Sequence, residues 1–130
     1  MTVKVLVNEK NQRLSYPAIS ISKNQKKLTL NQPAFCLLME EYGKDSQYAQ
    51  ILFDDEDNAG IFWIKLSDGT SIGSRKLDLP SKHTRTCSIG NLIEVLNWTN
   101  TNTTKFELIW DDQIDAGKVD TNKPLNFEER

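Results

Sequence analysis

Residues 51–60, ILFDDEDNAG, return as residues 108–117, LIWDDQIDAG, and this recurrence is the main clue to the fold. A shift of 57 positions aligns residues 31–60 with 88–117 without a gap, matching an aromatic residue, an aspartate pair and an Ala-Gly dipeptide in each copy. Self-similarity at a fixed period indicates one structural unit built twice. The alternative is independent use of Asp and Gly, which suit turns generally.

Composition sets the class of protein. The chain has 130 residues, of which 38% are hydrophobic and 26% charged, as is typical of a single soluble globular domain. No stretch approaches the ~18 apolar residues of a membrane span, so we expect a cytoplasmic protein without membrane contact. Cys36 and Cys87 have no metal-ligand spacing to each other or to His83. We therefore expect buried free thiols, and neither a metal nor a cofactor.

The order of elements supports the doubling. In the first half, the alternating segments AISIS and KLTLN predict a hairpin. The next segment, QPAFCLLMEEY, predicts a helix capped by Asn31, with Pro33 in its first turn and Gly43 at its end. The segments YAQILF and IFWIKL predict a second hairpin. The second half repeats this order, with GNLIEVLNW as its helix and QIDAG as the turn of its closing hairpin, and KVLVNE adds an N-terminal strand. The predicted class is mainly β with two short helices (α+β). We expect one domain over residues 1–130 with internal repeats at 19–66 and 75–121.

A family resemblance follows from these elements. The segments ISISKNQKKLTLNQPAFCLL and YGKDSQYAQILFDDEDNAGIFWI resemble the swapped-hairpin unit of AbrB-type, MazE-type and MraZ-type transcription regulators. Thr29-Leu30-Asn31 stands at the family's threonine-apolar-proline triplet, with Asn31 where proline is usual, and Gly43-Lys44-Asp45 stands at its Gly-Asp turn with one residue inserted. The chain is also similar to small uncharacterised bacterial and phage proteins, from which no activity can be transferred.

The resemblance implies an architecture and a function. In that family two interleaved units close a barrel, and the MraZ-like arrangement has both copies in one chain. Basic side chains on the first hairpin of each unit contact DNA there. By this resemblance, we expect a tandem hairpin–helix–hairpin repeat that forms a swapped-hairpin-like barrel.

The distribution of charge is consistent with that function. With 16 basic and 18 acidic side chains, the net charge of −2 gives no overall attraction for a polyanion. The first hairpin of each repeat is basic, whereas the closing hairpins are acidic. We predict that the basic side chains of these first hairpins contact the phosphates of double-stranded DNA. They are Lys23, Lys26, Lys27, Arg75, Lys76, Lys82 and Arg85. The alternative is that these are ordinary solvated residues, since charged hairpins also discourage strand aggregation.

Enzymatic and calcium-binding functions have little support in the sequence. His83 has no neighbouring motif for a nucleophile or an orienting acid, so we expect no enzyme. Asp55, Asp57 and Gly60 match three positions of an EF-hand loop, but Leu66 stands where its bidentate glutamate is needed. The aspartates are expected to form a solvated turn.

The alternative function is a non-enzymatic protein-interaction or assembly module. Phe62 and Trp63 are adjacent and face opposite ways on a regular strand, so one of them is a candidate for an exposed contact. Residues 122–130 are expected to be a flexible tail, or to dock on a partner through Leu125 and Phe127. A monomer or a homodimer is compatible with the sequence, because a tandem repeat already supplies an internal two-fold relation.

Overall fold

Two antiparallel sheets and one helix make up the described part of the chain. The structure is a computed structural model, and it describes residues 16–54, 60–81, 84–90, 92 and 103–125. The elements are β1 (Ala18–Ser22), β2 (Lys27–Asn31), α1 (Gln32–Tyr42), β3 (Tyr48–Phe53), β4 (Ile61–Ser67), β5 (Arg75–Lys76), β6 (Asp78–Ser81), β7 (Thr84–Ser88), β8 (Thr104–Glu107), β9 (Ile109–Asp111) and β10 (Ala116–Asp120). The expected β-rich class is confirmed.

Each sheet is built from two hairpins that meet at its centre. Sheet A has the strand order β6-β7-β2-β1-β8, and sheet B has the order β5-β3-β4-β10-β9. In sheet A the hairpins β1–β2 and β6–β7 join through β2 and β7, where Thr29 lies opposite Thr86. In sheet B the hairpins β3–β4 and β9–β10 join through β4 and β10, where Phe62 lies opposite Val119. Strand alternation therefore gives each sheet one inner and one outer face.

Besides the connection from β2 to β3 through α1, the described chain crosses between the sheets at two single residues. Leu77 separates β5 in sheet B from β6 in sheet A, and Leu108 separates β8 in sheet A from β9 in sheet B. Both leucines are buried and belong to the core. The edge strands of one sheet thus continue into the edge strands of the other.

The core lies between the inner faces and under α1. Its largest fully buried side chains come from both sheets and the helix: Ile19, Leu28, Leu30, Leu38, Phe62, Ile64, Leu66, Phe106, Leu108 and Val119. Alternation is clear in β4, where Phe62, Ile64 and Leu66 are buried while Trp63 and Lys65 are only half-buried. Burial of these side chains is the main contribution to the stability of the fold.

Local sequence signals fix both ends of α1 as predicted. The side-chain oxygen of Asn31 accepts a hydrogen bond from the Ala34 N–H at 2.9 Å, Pro33 lies in the first turn, and Gly43 ends the helix with φ of 89°. A left-handed residue at this position favours glycine, whose N–H here donates to the Met39 carbonyl. The predicted second helix over residues 90–98 falls almost wholly outside the described residues, as do the predicted N-terminal strand and the acidic turn at 55–59.

Asn31 also ties the start of β1 to the helix. Besides capping α1, its Oδ1 accepts from the Ala18 N–H at 3.1 Å, and its Nδ2 donates to the Tyr16 carbonyl at 3.0 Å. We expect Asn31→Ala to lower the free energy of unfolding by about 1–2 kcal/mol, because both acceptor contacts are lost. Asn31→Asp keeps the acceptor and should cost less. Urea unfolding of the three proteins checks this; equal stability of Asn31→Ala and the native chain would contradict the role of the cap.

The second closing hairpin differs from the first in its turn. The repeated Ala-Gly dipeptide was expected in the turn, but residues 112–115 form the turn and Ala116 and Gly117 already lie in β10. A Cβ at Gly117 would lie only 2.7 Å from Leu108 Cδ1 and 3.3 Å from Leu38 Cδ2. In this copy the glycine is thus needed for close packing of the core, and the prediction of its turn role is wrong.

Residues 122–125 are held against sheet A. The Leu125 N–H donates to the Lys105 carbonyl at 2.8 Å, and Pro124 forms a bridge with Phe106 of β8. The expected flexible tail, residues 122–130, is therefore described only as far as Leu125, and residues 126–130 lie outside the described part. Among the described residues, no helix has the length and apolar character needed to cross a membrane.

Candidate nucleic-acid interface

The outer face of sheet A is rich in hydroxyl groups. Leu28, Leu30 and Cys87 are buried on the inner face, so the residues between them point outward. We call this surface the hydroxyl face; its side chains on the three central strands are Ser20, Ser22, Thr29, Thr84, Thr86 and Ser88. Serine and threonine hydroxyls are frequent hydrogen-bond partners of nucleic-acid phosphates.

The register places these residues in straight rows across the strands. At the centre, Thr29 lies between Ser20 and Thr86, and the row continues to Lys105 on one edge and Asp78 on the other. The central strands β1, β2 and β7 contain no aspartate or glutamate. The carboxylates of this sheet, Asp78 and Glu107, are on its edge strands. The centre of the hydroxyl face is therefore free of negative charge.

Three of the expected basic residues border this face. Lys23 and Lys26 lie in the turn between β1 and β2, Lys27 begins β2, and the last two are exposed. Lys26 has φ of 52°, and its carbonyl accepts from the Ile89 N–H at 2.9 Å, which fixes the turn against the end of β7. We call Lys23–Lys27 the basic turn. The basic turn leads into β2 and includes its first residue, Lys27, which lies opposite Ser22 of β1 and Ser88 of β7.

Arg75 reaches the same corner from the other half of the chain. Its Nη1 donates to the Ser88 carbonyl at 3.1 Å, and Ser88 is the residue opposite Lys27. The hydrogen bond of Arg75 and the strand pairing of Lys27 thus converge on Ser88, although 48 positions separate Arg75 from Lys27 in the sequence. This corner joins cationic groups to the hydroxyl face.

Of the remaining basic residues, Lys76 and Arg85 do not join this corner. Lys76 is exposed but lies opposite Tyr48 at the edge of sheet B. Lys82 is outside the described residues. Arg85 lies on the inner face opposite Leu30, with its guanidinium carbon 3.6 Å from the centroid of the Phe35 ring. It also pairs with Asp45 at 3.5 Å, and its side chain is only 16% exposed.

Arg85 therefore stabilises the contact between sheet A and α1. Its stacking on Phe35 and its pairing with a carboxylate use the surface that a phosphate would need. Strand alternation contains a signal for this placement, because Arg85 and the buried Cys87 are two residues apart on β7. The hydroxyl face was missed for a related reason: its residues become neighbours only once the register is known.

Sheet B has an outer face of different character. A row across its strands contains Leu52, Trp63, Lys118 and Ile109. Trp63 donates from Nε1 to Asp111 Oδ2 at 3.1 Å, and Ile109 is 58% exposed. We call this the apolar row. Of the two adjacent aromatics, Phe62 is buried and Trp63 is the one turned outward, although only partly exposed.

Trp63 controls the acidity of Asp111. The hydrogen bond from its indole holds the pKa of the Asp111 carboxyl below its usual value, with smaller contributions from the backbone N–H groups of Gln113 and Ile114. A depressed pKa stabilises the fold above the pKa of the unfolded chain, and this stabilisation is lost as pH falls through the folded pKa. We expect Trp63→Phe to raise the pKa of Asp111, as measured by carboxyl NMR titration. An unchanged pKa would show that the indole has no such influence.

The two cysteines differ in environment. Cys87 is buried, and this burial raises the pKa of its thiol to about 11. Cys36 is exposed on α1, so the expectation of a buried thiol is wrong for this residue. Its position follows from the helix period, since Ala34 and Leu38 occupy the buried side of α1.

Comparisons of the chain with family models, with curated proteins and with solved structures found no match. The support for a function therefore comes from the chemistry of the two outer faces.

Proposed function

We propose that this protein binds double-stranded DNA through the hydroxyl face and the basic turn. The observation that carries the proposal is the corner at Ser88: Arg75 donates to its carbonyl and Lys27 lies opposite it, beside strands that contain hydroxyl groups and no carboxylates. Lysine, arginine, serine and threonine are the side chains that most often contact phosphates. Such contacts give affinity and orientation without reading the base sequence.

The dimensions of the face suit a duplex. A five-residue strand is about 16 Å long, and five strands side by side span about 19 Å. This area is comparable to one groove of B-DNA with its two phosphate walls. Among the described residues, the acidic side chains of the closing hairpins belong to the strands and turns of sheet B and not to the proposed interface; they are Asp54, Asp111, Asp112 and Asp115.

The proposal includes a tandem, barrel-like architecture of the swapped-hairpin kind. The 57-residue shift that aligns the two halves also relates Thr29 to Thr86 and Phe62 to Val119, which are the central pairs of the two sheets. Strand β1 of the first repeat pairs with β8 of the second, and β5 of the second pairs with β3 of the first. This interleaving, together with the continuations at Leu77 and Leu108, supports closure into one barrel.

In such a molecule the two halves present equivalent surfaces to DNA. The basic turn of the first repeat corresponds, by the same shift, to residues 80–84 of the second. Strand β7, which follows those residues, begins with Thr84 opposite Asn31, the last residue of β2. The start of β7 and the basic turn are therefore at opposite ends of β2. A single chain would then supply the two-fold relation that matches a duplex.

The test is a salt series of fluorescence anisotropy on a labelled duplex, with the native protein and a variant carrying Lys23→Gln, Lys26→Gln and Lys27→Gln. Each phosphate contact contributes about 0.9 to the slope of log affinity against log salt, so the variant should lose about 2–3 units of slope. The matched control carries Lys44→Gln, Lys118→Gln and Lys123→Gln, outside the interface, and should keep the native slope. Absence of binding at about 50 mM salt would overturn the proposal.

A second candidate function is protein binding through the apolar row. In this row Ile109 is 58% exposed, and Leu52 and Trp63 are partly exposed. Exposed apolar side chains in one area mark interaction surfaces. If the native protein does not bind the duplex at about 50 mM salt, the apolar row becomes the better candidate for a functional surface.

A further inference from the structure

A small pocket lies on the side of the molecule formed by α1 and sheet B. Its volume is about 180 Å³, and it is lined by the last turn of α1, the end of β4, Trp110 of β9 and Asp115 of the β9–β10 turn. The floor includes Leu38 and Leu66, which are buried. Drug-sized ligands occupy pockets of ~300 Å³ or more, so this one suits a smaller group.

The charges around the pocket favour a cation. Glu41 and Asp115 are exposed carboxylates on its rim, and Lys65 is the single basic residue of the lining. Two acidic side chains and one basic side chain give the lining a formal net charge of −1. A monovalent cation would neutralise it.

Aromatic side chains add to this preference. Tyr42 and Trp110 both line the pocket. A cation over the face of such a ring is attracted by its quadrupole, and tryptophan is the strongest partner.

We propose that this pocket binds one primary ammonium group on a short aliphatic chain. The carboxylates of Glu41 and Asp115 attract the charge, the rings of Tyr42 and Trp110 contact the ammonium and its first methylenes, and the buried leucines contact the rest of the chain. A free alkylamine and the lysine side chain of another protein share this chemistry. The proposal concerns sheet B and α1 and does not depend on DNA binding by sheet A.

The test follows the indole N–H signals of the labelled native protein by NMR. The probes are butylammonium, Nα-acetyl-lysine-N-methylamide, and the same lysine derivative with its side-chain amine acetylated. For the charged probes we expect Kd values on the order of millimolar, with the Trp110 signal shifting and the Trp63 signal unmoved. Equal binding of the acetylated, uncharged probe, or no shift at Trp110, would overturn the proposal.

The two charged probes distinguish the sources. Equal affinity of butylammonium and the lysine derivative would identify a site for free amines. Tighter binding of the lysine derivative would identify a site for a protein side chain. Either result supports recognition of an ammonium group.

Matched variants test the roles of the carboxylates. Asp115 has φ of 64°, which asparagine tolerates, so Asp115→Asn removes the charge and keeps the turn. We expect Asp115→Asn and Glu41→Gln each to weaken binding about two- to five-fold. Asp112→Asn and Glu40→Gln change exposed neighbours outside the pocket lining and should leave the affinity unchanged. Loss of binding in the controls alone would contradict the assignment.

The sign of the effect at Lys65 separates a cation from an anion. For an ammonium ligand, Lys65→Gln removes a repulsive charge and should tighten binding about two-fold. For an anionic or zwitterionic ligand held by Lys65, the same substitution would weaken binding, which would overturn the proposal.

Discussion

Phe62→Ala is expected to lower the free energy of unfolding by about 3–5 kcal/mol, the largest effect of any single substitution considered. Phe62 is fully buried, and it lies opposite Val119 where the two hairpins of sheet B join. Truncation removes the transfer free energy of the ring and leaves a cavity that β-strands on both sides cannot fill. Since small domains have only about 5–15 kcal/mol of stability, the variant should unfold at a much lower urea concentration.

Phe53→Ala is the matched control for this prediction. Phe53 lies directly opposite Phe62 on β3, but its side chain is 46% exposed. The same truncation should therefore cost about 1 kcal/mol. Urea unfolding measures both variants, and similar losses for the two would contradict the assignment of Phe62 to the centre of the core.

Thr29→Glu is expected to weaken duplex binding about 10- to 100-fold at low salt. Thr29 lies at the middle of the hydroxyl face, between Ser20 and Thr86. A carboxylate there would face DNA phosphates, and apposed like charges cost several kcal/mol at an interface. Because the side chain points away from the core, we expect a loss of stability below about 1 kcal/mol.

Gln47→Glu provides the control for charge. It makes the same change in net charge at an exposed residue just before β3, which is in sheet B. Anisotropy titrations of the two variants against the same duplex should show weakened binding for Thr29→Glu alone. Equal weakening would mean that net charge, and not the hydroxyl face, governs the affinity.

Sequence reasoning succeeded where the signals are local. The helix from Gln32 to Tyr42 follows from a capping asparagine, a proline in the first turn and a terminal glycine within thirteen residues. The strands follow from alternation of apolar and polar residues, which burial in β4 reproduces. Each of these patterns is determined by neighbours along the chain.

Sequence reasoning failed where one residue type can serve two structural purposes. Gly117 was assigned to a turn because glycine suits turns, but its place in β10 is set by the approach of Leu108. Arg85 was grouped with the solvent-facing cations of its hairpin, but it stacks on Phe35 and pairs with Asp45. Only the register of β2 and β7 shows which way each side chain faces.

The two candidate sites depend even more on long-range contacts. The hydroxyl face combines β1 and β2 with β7, and the ammonium pocket combines the end of α1 with β4 and the β9–β10 hairpin. No spacing within one segment signals either of them. The sequence identifies the basic residues as a set. It does not show which of them lie at the corner at Ser88 and which lie on other surfaces.

The most direct test of DNA binding by sheet A is an NMR titration of the isotopically labelled native protein with duplex DNA. The expected result is that backbone amide signals of β1, β2, β7 and the basic turn shift or broaden, and that those of β9 and β10 stay in place. Shifts confined to sheet B, or no shifts at excess DNA and low salt, would contradict the proposed interface.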